Sequence, residues 1–120
     1  MRLKERVVQG VDVFALEGDI DMHFSSVLRD LFQGRLKQKC PALVLDFSGV
    51  QFIDSRGIAT VLEYLRDCGE FGGKVCLAAL SAEVKPIIET VRLGTVMPIF
   101  ATVPEAISSM KGELETQPSP

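Results

Sequence analysis

The sequence predicts an α/β domain: a mixed, mostly parallel β-sheet opened by an amino-terminal β-hairpin and packed with about four α-helices. Three observations lead there. Two short valine-rich runs open the chain, Arg2 to Val8 and Val11 to Glu17, joined at Gln9-Gly10. A nearly continuous apolar run, Ala42-Leu43-Val44-Leu45-Asp46-Phe47, has the character of a strand covered on both faces. After the hairpin, strand-like runs alternate with segments whose apolar residues recur at three- and four-residue steps. The resulting order, β-β-α-β-α-β-α-β-α, implies parallel pairing through right-handed crossovers.

Each element has its own grounds. From Ser25 to Lys39 the residues Val27, Leu28, Leu31, Phe32 and Leu36 form an apolar stripe, with Arg29, Asp30, Arg35 and Lys37 left for water. Pro41 ends that helix and the central strand follows, closed by a turn expected at Ser48-Gly49. A second helix, entered at Asp54-Ser55, buries Ile58, Val61, Leu62, Leu65 and Cys68 and stops before Gly69. Gly72-Gly73 reads as a turn before a strand at Lys74 to Leu80. Ser81 then caps a helix with a stripe of Val84, Ile87, Ile88 and Val91, closed by a C-cap at Leu93-Gly94. A last strand is expected over Val96 to Ala101 and a short helix over Pro104 to Met110. The domain should span residues 1–111, and the polar segment 112–120, which carries no core residues, should be a disordered tail.

Composition narrows the chemistry. A chain of 120 residues with 47% hydrophobic content fits one domain with its own core. Its 13 Lys+Arg against 16 Asp+Glu give a net charge of -3, without a basic stripe to neutralise a phosphate backbone, so direct nucleic-acid binding is not expected. The amino terminus lacks the apolar core of a secretory signal, and the longest uncharged stretch, Leu93 to Pro104, falls short of the ~18 apolar residues a spanning helix requires. A cytoplasmic chain without membrane insertion is the expectation. Cys40, Cys68 and Cys76 have no metal-ligand spacing, and their odd number suits reduced thiols. With one histidine, His23, neither a zinc site nor a Ser-His-Asp triad has material to build on, and no enzyme activity, metal or cofactor is expected.

The informative segment is Asp46-Phe47-Ser48-Gly49-Val50-Gln51-Phe52-Ile53-Asp54-Ser55-Arg56-Gly57-Ile58, which sets a serine between a buried strand and the first turn of a helix. Ser55 in that position has two uses. As a plain N-cap it accepts from the free N–H groups of the first turn; as a modification site it places a phosphate where those groups and the helix dipole stabilise it. Arg56 favours such a phosphate and Asp54 repels it. A second cluster, Gly18-Asp19-Ile20-Asp21 followed by His23, Ser25 and Ser26, lies at another strand end, where Asp19 and Asp21 can approach Asp54-Ser55. Asp21, Ser25 or Ser26 serves equally well as cap of the first helix, and His23 suits a loop or cap better than a ligand. Gly72-Gly73 matches no phosphate-binding loop.

Four motifs taken together, Leu16-Glu17-Gly18-Asp19-Ile20-Asp21, Leu45-Asp46-Phe47-Ser48-Gly49-Val50, Phe52-Ile53-Asp54-Ser55-Arg56-Gly57-Ile58 and Gly73-Lys74-Val75-Cys76-Leu77, resemble the STAS domain of bacterial anti-sigma factor antagonists. The resemblance runs in order from Val7 to Met110. It implies a non-enzymatic partner-switching protein. The unmodified form of such a protein binds an anti-sigma factor with serine protein kinase activity and frees a sigma factor. The kinase phosphorylates the serine that falls on Ser55, and a metal-dependent serine phosphatase restores it. The same mapping puts Asp21 and Asp54 beside the phosphosite, has Gly57 permit close approach at the helix start, and centres the partner surface on Asp19, Asp21, Ser25, Asp54, Ser55, Arg56 and Gly57. The chain departs from the usual pattern at Arg56, where the family often carries Ser or Thr, and at Ala59. Two other readings are a STAS scaffold subunit of a transporter, lipid-transport or stress-signalling complex, with Ser55 unmodified, and a nucleotide- or small-ligand-binding flavodoxin-like domain.

Overall fold

The computed structural model describes residues 2–116. Five strands form one sheet in the order β1-β2-β3-β4-β5: β1 (Arg2–Val8), β2 (Val11–Ile20), β3 (Ala42–Ile53), β4 (Lys74–Ala78) and β5 (Ile99–Phe100). β1 and β2 pair antiparallel and every other neighbouring pair is parallel, so the order expected from the sequence holds element by element. The hairpin turns at Gln9 and Gly10, whose φ values of 53° and 82° are the two positive angles that a tight two-residue hairpin loop demands.

Helices α1 (Met22–Lys37), α2 (Ser55–Cys68) and α3 (Lys85–Thr90) cover one face and α4 (Val103–Thr116) the other. On the three-helix side Phe14, Leu16, Leu43, Leu45 and Phe47 pack against Leu28 and Phe32 of α1, Val61 and Tyr64 of α2 and Ile88 of α3. The Phe32 ring joins the layers, 6.1 Å from Phe14 and 4.5 Å from Tyr64. On the other side Val11, Val13, Ala42, Val44, Cys76 and Ala78 meet Ala106, Ile107 and Met110 of α4. Because both faces of β3 are covered, its first half is the continuous apolar run seen in the sequence.

A polar knot fastens the carboxyl end of α1 to the hairpin. Arg35 donates to Glu5 Oε1 at 2.8 Å, approaches Asp12 Oδ2 at 3.4 Å and lies 5.0 Å over the Phe14 ring. The Cys40 thiol donates to the same Asp12 oxygen at 2.9 Å. Burial first, and then that carboxylate, push the thiol up from 9.0 to about 12. Cys40, Cys68 and Cys76 are all buried.

Several expectations are corrected. β3 does not turn at Ser48-Gly49 but continues to Ile53, because β2 is longer than its apolar alternation indicates and goes on pairing with it. The last strand shrinks to Ile99–Phe100, and β4 ends at Ala78. α1 starts at Met22 and leaves Val27 half exposed; Leu62 and Val91 are likewise exposed, although each falls on an apolar stripe. Ser81 accepts from the Val84 N–H ahead of α3, and α3 starts only at Lys85. The left-handed residue closing α3 is Arg92, with φ 55°, and not Gly94. α4 runs on to Thr116, so the polar segment from Gly112 begins as helix where a disordered tail was expected. Residues 117–120 of that segment lie outside the described residues.

Candidate functional site

The site is built where β2 and β3 outrun the sheet. β3 pairs with β4 only as far as Asp46, opposite Ala78, and then continues with β2 alone. Along this two-stranded extension β3 carries an extra residue between Asp46 and Gly49 and again between Val50 and Phe52, so it bulges twice before reaching Ile53. The inner bulge is possible because residue 49 is glycine: a Cβ there would stand 2.7 Å from Glu17 Cγ and 3.0 Å from the Leu16 carbonyl oxygen. The Ser81 hydroxyl donates to the Val50 carbonyl oxygen and ties the loop after β4 to this extension.

At the end of the extension two helices start side by side. Asp21 and Asp54 both have extended backbones and both are N-caps. The Asp21 carboxylate accepts from the N–H groups of His23 and Phe24 at 3.0 and 3.1 Å, and the Asp54 carboxylate accepts from the Gly57 N–H at 2.9 Å. The Asp21 carboxyl is held below its ordinary value first by the Phe24 N–H, against the opposing effect of burial, with the His23 N–H and the His23 ring adding to the lowering. Gly57 is buried where α2 presses on the strand ends. A Cβ on it would meet Ile20 Cγ2 at 2.7 Å, Ile53 Cγ1 at 2.8 Å and the Ile20 carbonyl oxygen at 2.9 Å.

Asp54, and not Ser55, therefore caps α2, so Ser55 is not the N-cap that one of its two expected uses required. Ser55 is the first residue inside the helix and is exposed, and among the described residues its hydroxyl takes part in no hydrogen bond. Arg56 follows it, also exposed. The phosphosite candidate thus stands free of structural duty at the positive end of a helix, with one carboxylate behind it and one guanidinium ahead.

The other anticipated residues divide. Asp19, Asp21 and Asp54 gather at the same edge as Ser55 and Arg56, with Asp19 exposed on the extension. Ser25 does not join them: it is buried at 6% exposure, and its hydroxyl donates to the Met22 carbonyl oxygen within α1. Ser26 does the same with the His23 carbonyl oxygen, so neither serine caps the helix. His23 lies in the first turn of α1, bound through its backbone to Asp21. Among the described residues no group of three or more His, Cys, Asp or Glu side chains is arranged to hold a metal ion.

Exposed apolar side chains went unnoticed in the sequence. Met22, Val27, Phe52 and Leu62 are 51%, 50%, 46% and 38% exposed, on the extension and on the two helices that leave it. Beside them an open depression of about 560 Å³ is lined by Gly18, Asp19, Asp21, His23, Phe24, Val27 and Gln51. Exposed apolar side chains thus lie beside two carboxylates at this end of the sheet. The available signal was Phe52, an aromatic residue next to the site on a strand segment with only one partner strand.

The fold and the site define a domain class, and sequence comparison agrees: residues 3–106 match the model of the STAS domain. The chain belongs to the STAS domain family. It is similar to an anti-sigma F factor antagonist of Paenibacillus polymyxa, 24% identical over 104 residues that cover 86% of this chain and 89% of the relative. Its fold is also that of the Bacillus cell fate determinant SpoIIAA in its phosphorylated form, with 24% identity, a TM-score of 0.70 and coverage of 90% of this chain and 98% of that one. A sulfate transporter family protein of Wolinella succinogenes shares it as well, with 19% identity, a TM-score of 0.75 and coverage of 92% and 93%. Among the described residues no helix is long and apolar enough to cross a membrane.

Proposed function

We propose that this chain is a cytoplasmic, non-enzymatic anti-sigma factor antagonist that works by partner switching. Its unphosphorylated form binds an anti-sigma factor with serine protein kinase activity and so releases a sigma factor. Phosphorylation of Ser55 ends the binding, and a metal-dependent serine phosphatase restores it. The observation that carries this reading is the capping of α2 by Asp54, which leaves the Ser55 hydroxyl exposed and without a hydrogen bond among the described residues. A serine that capped its helix would have to give up that bond to be modified. Ser55 loses nothing.

The physics of release follows from the surroundings. A partner covering Met22, Val27, Phe52 and Leu62 gains by removing apolar area from water. A phosphate on Ser55 adds about -1.5 to -2 charge beside Asp54 and near Asp21, and covering it costs desolvation and repulsion. Asp19, Asp21, Asp54 and Arg56 form the frame of that surface; Ser25 and Gly57, both buried, lie beneath it.

Intact-mass analysis of the protein isolated from its own cells, followed by peptide mapping across residues 51–66, tests the reading. One phosphate on Ser55 supports it. No phosphate under several growth conditions, together with co-purification of a membrane transporter, replaces it with the scaffold role suggested by the likeness to a sulfate transporter family protein.

A further inference from the structure

At the far edge of the sheet from the hairpin, α3, β5 and the loop that leaves β4 enclose a cavity of about 300 Å³. It has an apolar floor, Leu80, Ile88 and Ile99, and a rim that carries Lys85, Arg92 and Thr95. An adjoining depression of about 240 Å³ shares Leu80, Lys85 and Ile99 and passes over Phe100, so the two make one trough. None of these residues belongs to the surface around Ser55.

The rim charges have no work in the fold. Among the described residues neither Lys85 nor Arg92 enters an ion pair, although Glu89 lines the same trough. Arg92 is held at φ 55° in the left-handed region, a costly conformation for a residue with a Cβ, and Thr95 fixes it there by donating to its carbonyl oxygen from both N–H and hydroxyl, at 3.1 and 2.7 Å. Two cations against one carboxylate leave the rim positive over a floor that offers a ligand almost nothing but carbon. The volume is at the low end of the range for small-molecule sites.

We propose that this trough binds a small amphipathic anion, an aliphatic chain ending in a carboxylate. The chain lies over Leu80, Ile88 and Ile99, where burial of apolar surface holds it. The carboxylate meets Lys85 and Arg92, whose charges it neutralises through charge-assisted hydrogen bonds. A neutral chain leaves both cations unanswered, and a small anion without a chain leaves the floor wet.

The test is a titration of the full chain, labelled for amide NMR, with decanoate below its aggregation concentration, set against decanol and acetate. Saturable decanoate shifts at Leu80, Ile88, Thr95 and Ile99 are expected, with decanol and acetate each at least about tenfold weaker at the same residues. The double variant Lys85→Gln, Arg92→Gln should weaken decanoate by about tenfold or more while amides remote from the trough stay in place. Decanol binding as tightly as decanoate, acetate doing so, or no shifts at these four residues would each overturn the proposal. The comparison of the three probes on the unaltered chain stands even if the double variant fails to fold.

Discussion

The backbone N–H of Asp54 donates to the carbonyl oxygen of Ile20 at 3.1 Å, one residue before Asp21. That bond is the last rung between β2 and β3, and it brings two capping aspartates to the same level at the roots of two neighbouring helices. The arrangement puts a helix dipole on each side of a surface whose capping groups are both carboxylates.

Asp54 does its structural work through an oxygen that accepts from Gly57, which an asparagine can imitate and an alanine cannot. Asp54→Ala should lower unfolding stability by about 1 kcal/mol, whereas Asp54→Asn should stay within a few tenths of wild type. Urea denaturation followed by circular dichroism measures both. Equal loss in the two variants would mean that the negative charge, and not the cap, is what α2 requires.

Gly57→Ala introduces the methyl that the structure excludes, against two isoleucine side chains and the Ile20 carbonyl oxygen. Alanine is the better helix former by about 1 kcal/mol. Overpacking of a tight core costs ~1–3 kcal/mol, and the backbone oxygen cannot rotate away as a side chain can. A net fall in melting temperature is expected; a rise would show that α2 is free to lift off the strands.

Charge at Ser55 should decide binding. If the proposed function holds, the Ser55→Glu variant should bind an anti-sigma factor at least about tenfold more weakly than wild type, and Ser55→Ala should bind normally while resisting phosphorylation. Isothermal titration separates the two. Tight binding by Ser55→Glu would exclude release by charge. An Arg56→Gln variant in the same series shows whether the neighbouring cation contributes to partner contact.

The thiols give a prediction in the alkaline range. Cys40 has a folded pKa of about 12 against 9.0 for the free side chain, with burial the leading cause, and burial raises Cys68 as well. A raised folded pKa means that the native state holds the proton more tightly. The stability that goes with it is complete below about pH 9 and is lost as pH climbs through the folded value. Native protein at pH 8 should therefore react with a thiol reagent only as fast as it unfolds, and denaturation midpoints should fall steadily above pH 9. Immediate reaction of even one thiol would contradict the burial of all three.

Much of this was legible in the sequence for identifiable reasons. The order of elements followed from Ala42–Phe47 and from the helical stripes, because burial on one or both faces writes a period into the residues. The failures share a cause. The extension of β3 pairs with β2 alone and bulges twice, so its buried residues, Phe47, Val50 and Ile53, come at every third position instead of every second, and it carries turn formers, Ser48 and Gly49, inside a strand. Val27, Leu62 and Val91 keep helical spacing while facing water, and spacing cannot distinguish an apolar residue in the core from one held out for a partner. For the site, the motif located Asp54 and Ser55, but which of the two caps α2 depends on where the helix begins, and only the backbone fixes that. Ser25 was misplaced for the same reason: with α1 starting at Met22, it turns inward.

The close seat of Gly57 on Ile20 and Ile53 has one more consequence. The first turn of α2 has no slack: it cannot sink toward the sheet, and its cap holds it from the other end. A group added to Ser55 changes what this corner of the molecule presents without giving the backbone anywhere to go. Under the proposed function, a phosphate there would alter the charge that a partner meets more than the path of the backbone beneath it.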